Sequence, residues 1–458
     1  MQVTIVGAGL AGSEAAWQLA QAGLEVELVD MKPDNRPAAH TSEQFAELVC
    51  SNSLRSGNLQ NAVGLIKEEM RRLGSLVMDA ALATRVPAGD ALAVDRQAFA
   101  EHITHALAAH PRIKRRCAAL CELPAATAGE HVIATGPLTS PKLGQDIVRV
   151  TGSSRLYFYD AIAPIIAGDS IDRAIVFAAS RYGKGAGDDY LNCPMNQTEY
   201  EAFLAALLAG ECMPLHSFEE PKYFQGCMPV EVVGASGADA LRFGAMKPVG
   251  LTDPRTGRRP YAVVQLRQED KAGLAFNLVG FQTKLMHPAQ RHVFRLIPGL
   301  AQAEFLRLGA IHRNTFLDSP SLLDARMRLV ARPNLRFAGQ LTGVEGYVES
   351  AAHGLLTARL LASDLGGRPL VPPPAESALG ALYRHVRGEL LLSGRPYEPQ
   401  NVNWSMVPPP PPPPAVRKNE VKAWRLRRAV TAFESWAKTA GVALAPPTSP
   451  GGPVLDDA

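Results

Sequence analysis

No stretch of this 458-residue chain is apolar for long enough to span a bilayer as a helix. The first strand begins within three residues of Met1, which leaves no room for the charged and apolar regions of a secretory leader, so a cytoplasmic protein is expected. Lys and Arg exceed Asp and Glu by only three, 47 against 44, so global charge does not predict a nucleic-acid partner. Any basic surface has to be a local patch. The six cysteines, Cys50, Cys117, Cys121, Cys193, Cys212 and Cys227, are scattered and lack paired metal spacing. That pattern argues against a disulfide framework and a bound metal, and for reduced thiols. Length and ordinary apolar content suit two or three folded domains.

What the chain does have is a glycine turn in the right surroundings. Gly7-Ala8-Gly9-Leu10-Ala11-Gly12 follows the apolar run Val3-Thr4-Ile5-Val6 and leads into Ser13-Glu14-Ala15-Ala16, so strand, turn and helix follow without spare residues. The first glycine permits the tight turn, the second lets the backbone approach a pyrophosphate, and the third lets helix pack on strand. The helix N-terminus then aims unpaired N–H groups at the anion. A second strand, Glu25-Val26-Glu27-Leu28-Val29, ends at Asp30 and Met31, where a carboxylate would accept ribose hydroxyls. An acid rather than a base there favours a bare ribose over a 2′-phosphate.

His131-Val132-Ile133-Ala134 reads as another strand, ending in a small-residue turn at Thr135-Gly136. From about Leu156 the pattern changes to strands such as Ala262-Val263-Val264-Gln265-Leu266 separated by long polar loops. Near residue 335 the first pattern returns: Leu335-Arg336-Phe337-Ala338 runs into Gly339-Gln340, then Glu345-Gly346-Tyr347, then a small-residue helix. Two glycine turns so far apart meet on one ligand only if the sheet is assembled from discontinuous segments. The expected architecture is therefore α/β, a Rossmann-like domain (1–155 and 313–371) interrupted by an α+β insertion (156–312). A helical C-terminal region (372–440) contains the proline run Pro408 to Pro414, which is expected as extended polyproline, and a disordered tail covers 441–458. Arg417, Lys418, Lys422, Arg425, Arg427 and Arg428, with Trp424 among them, predict a basic helix, either a solvated face or an RNA contact.

Several residues could do chemistry. Cys50 precedes the turn-forming cluster Ser51-Asn52-Ser53, and Arg55 close by in sequence would shift the thiol toward thiolate, unless Cys50 is simply buried. Cys227 stands between Gly226 and Pro229 in a constrained segment; Cys193 precedes Pro194, and the residues alone do not rank the two. His312-Arg313-Asn314 lies where the chain returns to the first domain, a histidine and arginine suited to a planar, partly anionic ligand. A satisfied core histidine is the alternative. Lys247 to Arg259 forms a basic, turn-rich loop that could hold a phosphodiester backbone or be a solvated connection.

These words occur together, in one order, with Met70-Arg71-Arg72-Leu73-Gly74-Ser75, Ala93-Val94-Asp95-Arg96, Tyr190-Leu191-Asn192-Cys193-Pro194-Met195, Val264-Gln265-Leu266-Arg267-Gln268-Glu269-Asp270 and Gly339 to Tyr347. In that arrangement the chain resembles the MnmG/TrmFO family, and within it the TrmFO branch of folate- and FAD-dependent tRNA (uracil-5-)-methyltransferases. The resemblance extends from Met1 to about the proline run. It implies a glutathione-reductase-type fold holding FAD, 5,10-methylenetetrahydrofolate as carbon donor, NAD(P)H as reductant, and 5-methyluridine at position 54 of the tRNA T loop as product. Cys50 and Cys227 fall on the family's two functional cysteines. Ser51, Asn52, Ser53, Thr135, Gly136, Gly339, Gln340, Glu345, Gly346 and Tyr347 are expected at the flavin, and His312, Arg313 and Asn314 at the folate. No obligatory protein partner is expected.

The chemistry agrees with that implication. Uracil C5 is too poor a nucleophile to take a carbon unaided, and a thiolate adding at C6 makes it one. Two electrons then turn methylene into methyl. The related wobble-uridine branch, MnmG, is longer and works with a GTPase, and the Cys50-Ser51-Asn52-Ser53 word favours the methyltransferase. A flavin-retaining RNA-binding protein without turnover is the alternative from another class.

Overall fold

A computed structural model describes residues 2–36, 39–127, 129–152, 156–213, 228–408 and 420–447, apart from the side chains of 156–158 and 313. Strands Gln2–Val6, Glu25–Asp30, Ile113–Cys117, Glu130–Ile133, Arg328–Leu329 and Arg332–Phe337 form one six-stranded sheet. Its order runs Arg328–Leu329, Arg332–Phe337, Glu130–Ile133, Gln2–Val6, Glu25–Asp30, Ile113–Cys117, parallel except for the first pair. Val3, Ile5, Leu28, Val29, Val132 and Ile133 are fully buried, as strands covered on both faces require. The strand that precedes the second glycine turn thus pairs with Glu130–Ile133, one strand away from Gln2–Val6, so the discontinuous assembly expected from the sequence is present.

Helices Leu10–Gln21 and Tyr347–Leu365 cross on this sheet at close range. A Cβ on Gly354 would lie 2.2 Å from the Ala11 carbonyl oxygen, so the absence of a side chain there sets the helix separation. Both helices are rich in alanine on the buried face, which permits the approach.

The insertion is built on a second six-stranded sheet, antiparallel throughout, with strands drawn from Ile165–Ala167 to Phe305–Arg307. Helices Gln197–Ala209 and His287–Phe294 bring Phe203, Leu207 and Phe294 into the insertion core, where Phe281, from the segment before the second of these helices, joins them. A two-stranded ribbon, Leu156–Ala161 against Ile311–Phe316, carries the chain out and back, pairing His312 with Asp160. This is the α/β fold with an α+β insertion that the pattern predicts.

The C-terminal region contains helices Ala378–Val386 and Val421–Thr439. The latter buries Ala429, Phe433 and Ala437, one stripe at intervals of four. Of the proline run only Pro408 is described; Pro409 to Pro414 lie outside the described residues, as do Arg417 and Lys418. The expectation of a disordered tail from 441 is corrected in part. Val442 and Leu444 pack on the core, and the Ala445 N–H donates to the Arg72 carbonyl at 2.8 Å, because apolar side chains follow the helix without a break. Residues 448–458 lie outside the described residues. No helix among the described residues is long and apolar enough to cross a membrane.

Candidate active site

The three glycines of the first turn take the three parts their spacing predicts. Gly7 has φ +99°, and a Cβ there would lie 2.5 Å from the Ala134 carbonyl oxygen. At Gly12 a Cβ would fall 1.8 Å from the Gly7 oxygen, so helix and strand touch backbone to backbone. Gly9 has no atom within 4 Å of that position, which leaves the approach open to a ligand. Neither helix Leu10–Gln21 nor helix Tyr347–Leu365 has a side-chain cap, and both begin at the same cavity. Their first N–H groups are thus aimed at it. Asp30 lines the cavity and also ties down the turn, accepting from the Ala8 N–H at 2.6 Å and the Lys32 N–H at 2.9 Å.

This cavity, about 470 Å³, is lined by Gly7, Gly9, Leu10, Ala11, Asp30, Met31, Cys50, Ser51, Ser53, Thr135, Gly136, Gly339, Gln340, Glu345, Gly346, Tyr347, His312 and Asn314. Segments from six separate stretches of sequence therefore meet on it. Three expected residues do not line it. Ala8 and Gly12 shape the turn from behind. Asn52 is fully buried, and its amide joins the two domains, donating to the Val94 and Gln268 carbonyls at 2.9 Å each and accepting from Arg267 Nε at 2.8 Å. Its predicted place at the cofactor is corrected, because those three bonds turn the side chain away from the cavity.

Cys50 sits at the wall with its accessible surface toward the cavity. Tyr347 Oη accepts from the Cys50 N–H at 2.7 Å and the Ser51 N–H at 3.2 Å, and lies 2.9 Å from Cys50 Sγ. Both lone pairs of the hydroxyl are taken, so its proton is left for the sulfur. The thiol is nevertheless pushed up to about 12, by burial first and then by the Asp160 carboxylate, against the Tyr347 bond and the Arg96 guanidinium. The expected thiolate beside Arg55 is corrected on both counts. Arg55 is drawn into an ion pair with Glu349, and the neighbouring cation is Arg96.

Three arginines hold the Cys50 loop in place. Arg96 donates to the Leu48 and Val49 carbonyls while paired with Glu269 at 2.7 Å. From the insertion, Arg307 reaches the Val49 carbonyl at 2.8 Å, and Arg267 reaches Ser51 Oγ at 2.7 Å. Sequence reasoning did not single out these arginines. Their signal was present in the Asp95-Arg96 and Arg267-Gln268-Glu269 words, where Asp95 caps the helix that Arg96 begins but the charges of Arg96, Arg267 and Glu269 have no such local use.

The wall also includes Asp160, Asn277, His312 and Asn314. Nε2 of His312 and Nδ2 of Asn277 are buried without a hydrogen-bond partner, so this histidine is not a satisfied core residue. Burial, then Arg307 and His40, keep His312 below its ordinary value and hence neutral. Glu345 is raised well above the usual carboxyl range by burial and by Asp160, and accepts from Gln340 Nε2 at 2.7 Å. Burial and Asp160 both favour its neutral form at the cavity wall.

Cys227 lies outside the described residues, and so does the side chain of Arg313. Cys193 is fully buried in the insertion core, and burial raises its thiol, which gives it no access to the site. Cys117 and Cys121 are exposed.

The family described as glucose inhibited division protein A matches residues 2–369. The chain is 57% identical over 450 residues to the protein of Anaeromyxobacter sp. (strain Fw109-5) named methylenetetrahydrofolate--tRNA-(uracil-5-)-methyltransferase TrmFO, covering 97% of this chain and 99% of that one. A protein of the same name from Geobacter sulfurreducens (strain ATCC 51573 / DSM 12127 / PCA) is 54% identical over 441 residues, covering 95% and 99%. Among solved structures, Aquifex aeolicus GidA in the form II crystal superposes with a TM-score of 0.69 at 15% identity, over 96% of this chain and 73% of that one. That likeness is one of fold.

Proposed function

Because this chain belongs to the glucose inhibited division protein A family and, within it, to the TrmFO group, we propose that it is an enzyme that methylates C5 of uridine 54 in the tRNA T loop. The carbon comes from 5,10-methylenetetrahydrofolate, and the setting is the cytoplasm. The observation that carries this reading is Cys50 Sγ, 2.9 Å from Tyr347 Oη, in the wall of a cavity that both glycine turns enter.

The residues fit FAD. Gly9 leaves open space where a pyrophosphate would lie, two uncapped helix N-termini supply N–H donors, and Asp30 lines the same cavity as a carboxylate that would accept ribose hydroxyls. Bound there and reduced, FAD supplies the two electrons that convert a transferred methylene to methyl. NADH or NADPH is the proposed reductant, bound transiently, since the sequence carries a single complete dinucleotide fingerprint.

The chain's own part begins with sulfur. Cys50 adds to C6 of uracil, which makes C5 nucleophilic toward the folate methylene. Its proton leaves as the bond forms, and Asp160, a carboxylate that lines the same cavity, is the proposed acceptor. Tyr347 donates to the sulfur as charge gathers on it, and Arg96 favours the same charge. His312 packs on the pterin, with Arg313 or Asn314 toward the folate. Removal of the C5 proton and loss of the C6 thioether complete the reaction, with Cys227 as the assisting group.

The test is to incubate the purified protein with unmodified tRNA transcript, methylenetetrahydrofolate and NADPH or NADH, and to map the nucleosides by mass spectrometry. A yellow protein and 5-methyluridine confined to the T loop are expected. A colourless protein, or a change confined to the anticodon, overturns the reading.

A further inference from the structure

The chemistry above leaves the basic loop after Lys247 unused, yet this loop is fastened to an unusual residue. Tyr182 has φ +62°, a left-handed conformation that bulky residues rarely adopt, and its side chain is largely exposed, with the residue at 65% of full accessibility. Its N–H donates to the Gly250 carbonyl at 3.0 Å. Its ring lies flat on Gly250, where a Cβ would come within 2.9 to 3.0 Å of three ring atoms. Next to it, Arg181 donates to the Lys247 carbonyl and to the Val249 carbonyl. Four attachments thus hold an aromatic ring with one face on backbone and the other in water. Burial does not account for that arrangement, because the ring joins no core cluster among the described residues.

We propose that Tyr182 is a stacking platform for an unpaired base of the RNA substrate, flanked by Lys247 as a phosphate contact. RNA loops present splayed bases that aromatic rings stack on, with nearby cations following the backbone. Lys247 is exposed and has no carboxylate within ion-pair distance among the described residues, so its charge is available. Lys184, also exposed, shares its charge with Asp90.

The platform is joined to the catalytic cavity by one strand. Arg181 Nε donates to Gln265 Oε1 at 2.8 Å, and Gln265 and Arg267 share a face of strand Ala262–Gln268, about 7 Å apart. Arg267 in turn holds Ser51, next to Cys50. A nucleotide loop whose target base enters the cavity would pass this edge of the insertion. The proposal rests on the methyltransferase reading and names a contact for its RNA.

Binding of an unmodified tRNA transcript to the flavin-loaded full chain tests it, with Tyr182→Gly and Tyr182→Phe compared with the unaltered protein. Glycine suits the left-handed backbone and removes only the ring, whereas Phe keeps the ring. We expect Tyr182→Gly to weaken binding about 5- to 150-fold, the range for one stacked base. Tyr182→Phe should bind as the unaltered chain does, with flavin content and flavin reduction by NADPH without RNA the same in all three. Equal binding by Tyr182→Gly, or equal losses in Gly and Phe, overturns the platform while leaving the methyltransferase reading intact. A loss of flavin from Tyr182→Gly also overturns it, by showing that the ring supports the fold. An unaltered protein that neither binds nor methylates tRNA removes the methyltransferase reading itself.

Discussion

Replacing Tyr347 by Phe deletes one oxygen, and the structure gives that oxygen three bonds. It accepts from two backbone N–H groups, at Cys50 and Ser51, and donates to Cys50 Sγ. A hydrogen bond to a charged group is worth about 1.5–3 kcal/mol, so its loss should lower the thiolate fraction at fixed pH by about 10- to 150-fold. That deficit adds to a thiol already pushed up to about 12. The two N–H groups also lose their acceptor, at about 1–3 kcal/mol each when sealed from water. Here they face a cavity that water can enter, so the expected cost in folding is the lower sum, about 2 kcal/mol. Iodoacetamide labelling of the Cys50 peptide between pH 8 and 10, read by mass spectrometry, measures the first effect, and urea unfolding measures the second. Equal labelling rates in both proteins across the whole pH range would mean that the tyrosine proton does not point at sulfur, and the argument from saturated lone pairs would be wrong.

Cys50→Ala and Cys227→Ala should each abolish methyl transfer while the protein stays yellow; a fully active single variant removes that cysteine from the mechanism. His312→Ala should raise the folate concentration needed for half-maximal rate, and an unchanged folate dependence would remove the histidine from that pocket. Gly354→Ala gains about 1 kcal/mol in helix propensity. It places a Cβ 2.2 Å from the Ala11 oxygen, an overpacking cost of about 3 kcal/mol, so net destabilisation of about 2 kcal/mol and lower flavin content are expected by denaturant titration and absorbance. Lys67 is fully buried and lowered to about 7 by burial, while the unfolded chain titrates it at 10.5. Above pH 7 the unfolded state therefore binds more protons than the native state, so this group's contribution rises with pH. It amounts to about 2–3 kcal/mol between pH 7 and 9. Lys67→Met should remove that rise from the urea-unfolding profile, and identical profiles in the two proteins would refute the assignment.

The parts of the site that local backbone chemistry sets were legible in the sequence. The turn at Gly7 to Gly12 is readable because its glycine spacing is local, with Gly12 against the Gly7 oxygen and Gly9 left open, and the helix start follows directly. Gly339 and Gly346 belong to a turn of the same local pattern, although Ala11 beside the first and Asn401 and Arg55 beside the second come from distant segments. Asn52 was misplaced because its three partners, Val94, Gln268 and Arg267, come from a neighbouring strand and from the insertion. Tyr347 lines the same cavity as the glycine turns, but its grip on Cys50, nearly three hundred residues away, has no local signature.

Sequence alone determined the main element types and the interrupted α/β fold and named candidates for the chemistry, because hydrophobic period, glycine spacing and turn composition act over a few neighbouring residues. Tertiary structure alone decided the state of those residues. Whether Cys50 is thiol or thiolate depends on burial, on Asp160 and on Arg96, and whether Arg55 or Arg96 is its counter-charge depends on Glu349. Charge interactions act through space at a few ångströms, and only the folded chain sets those distances.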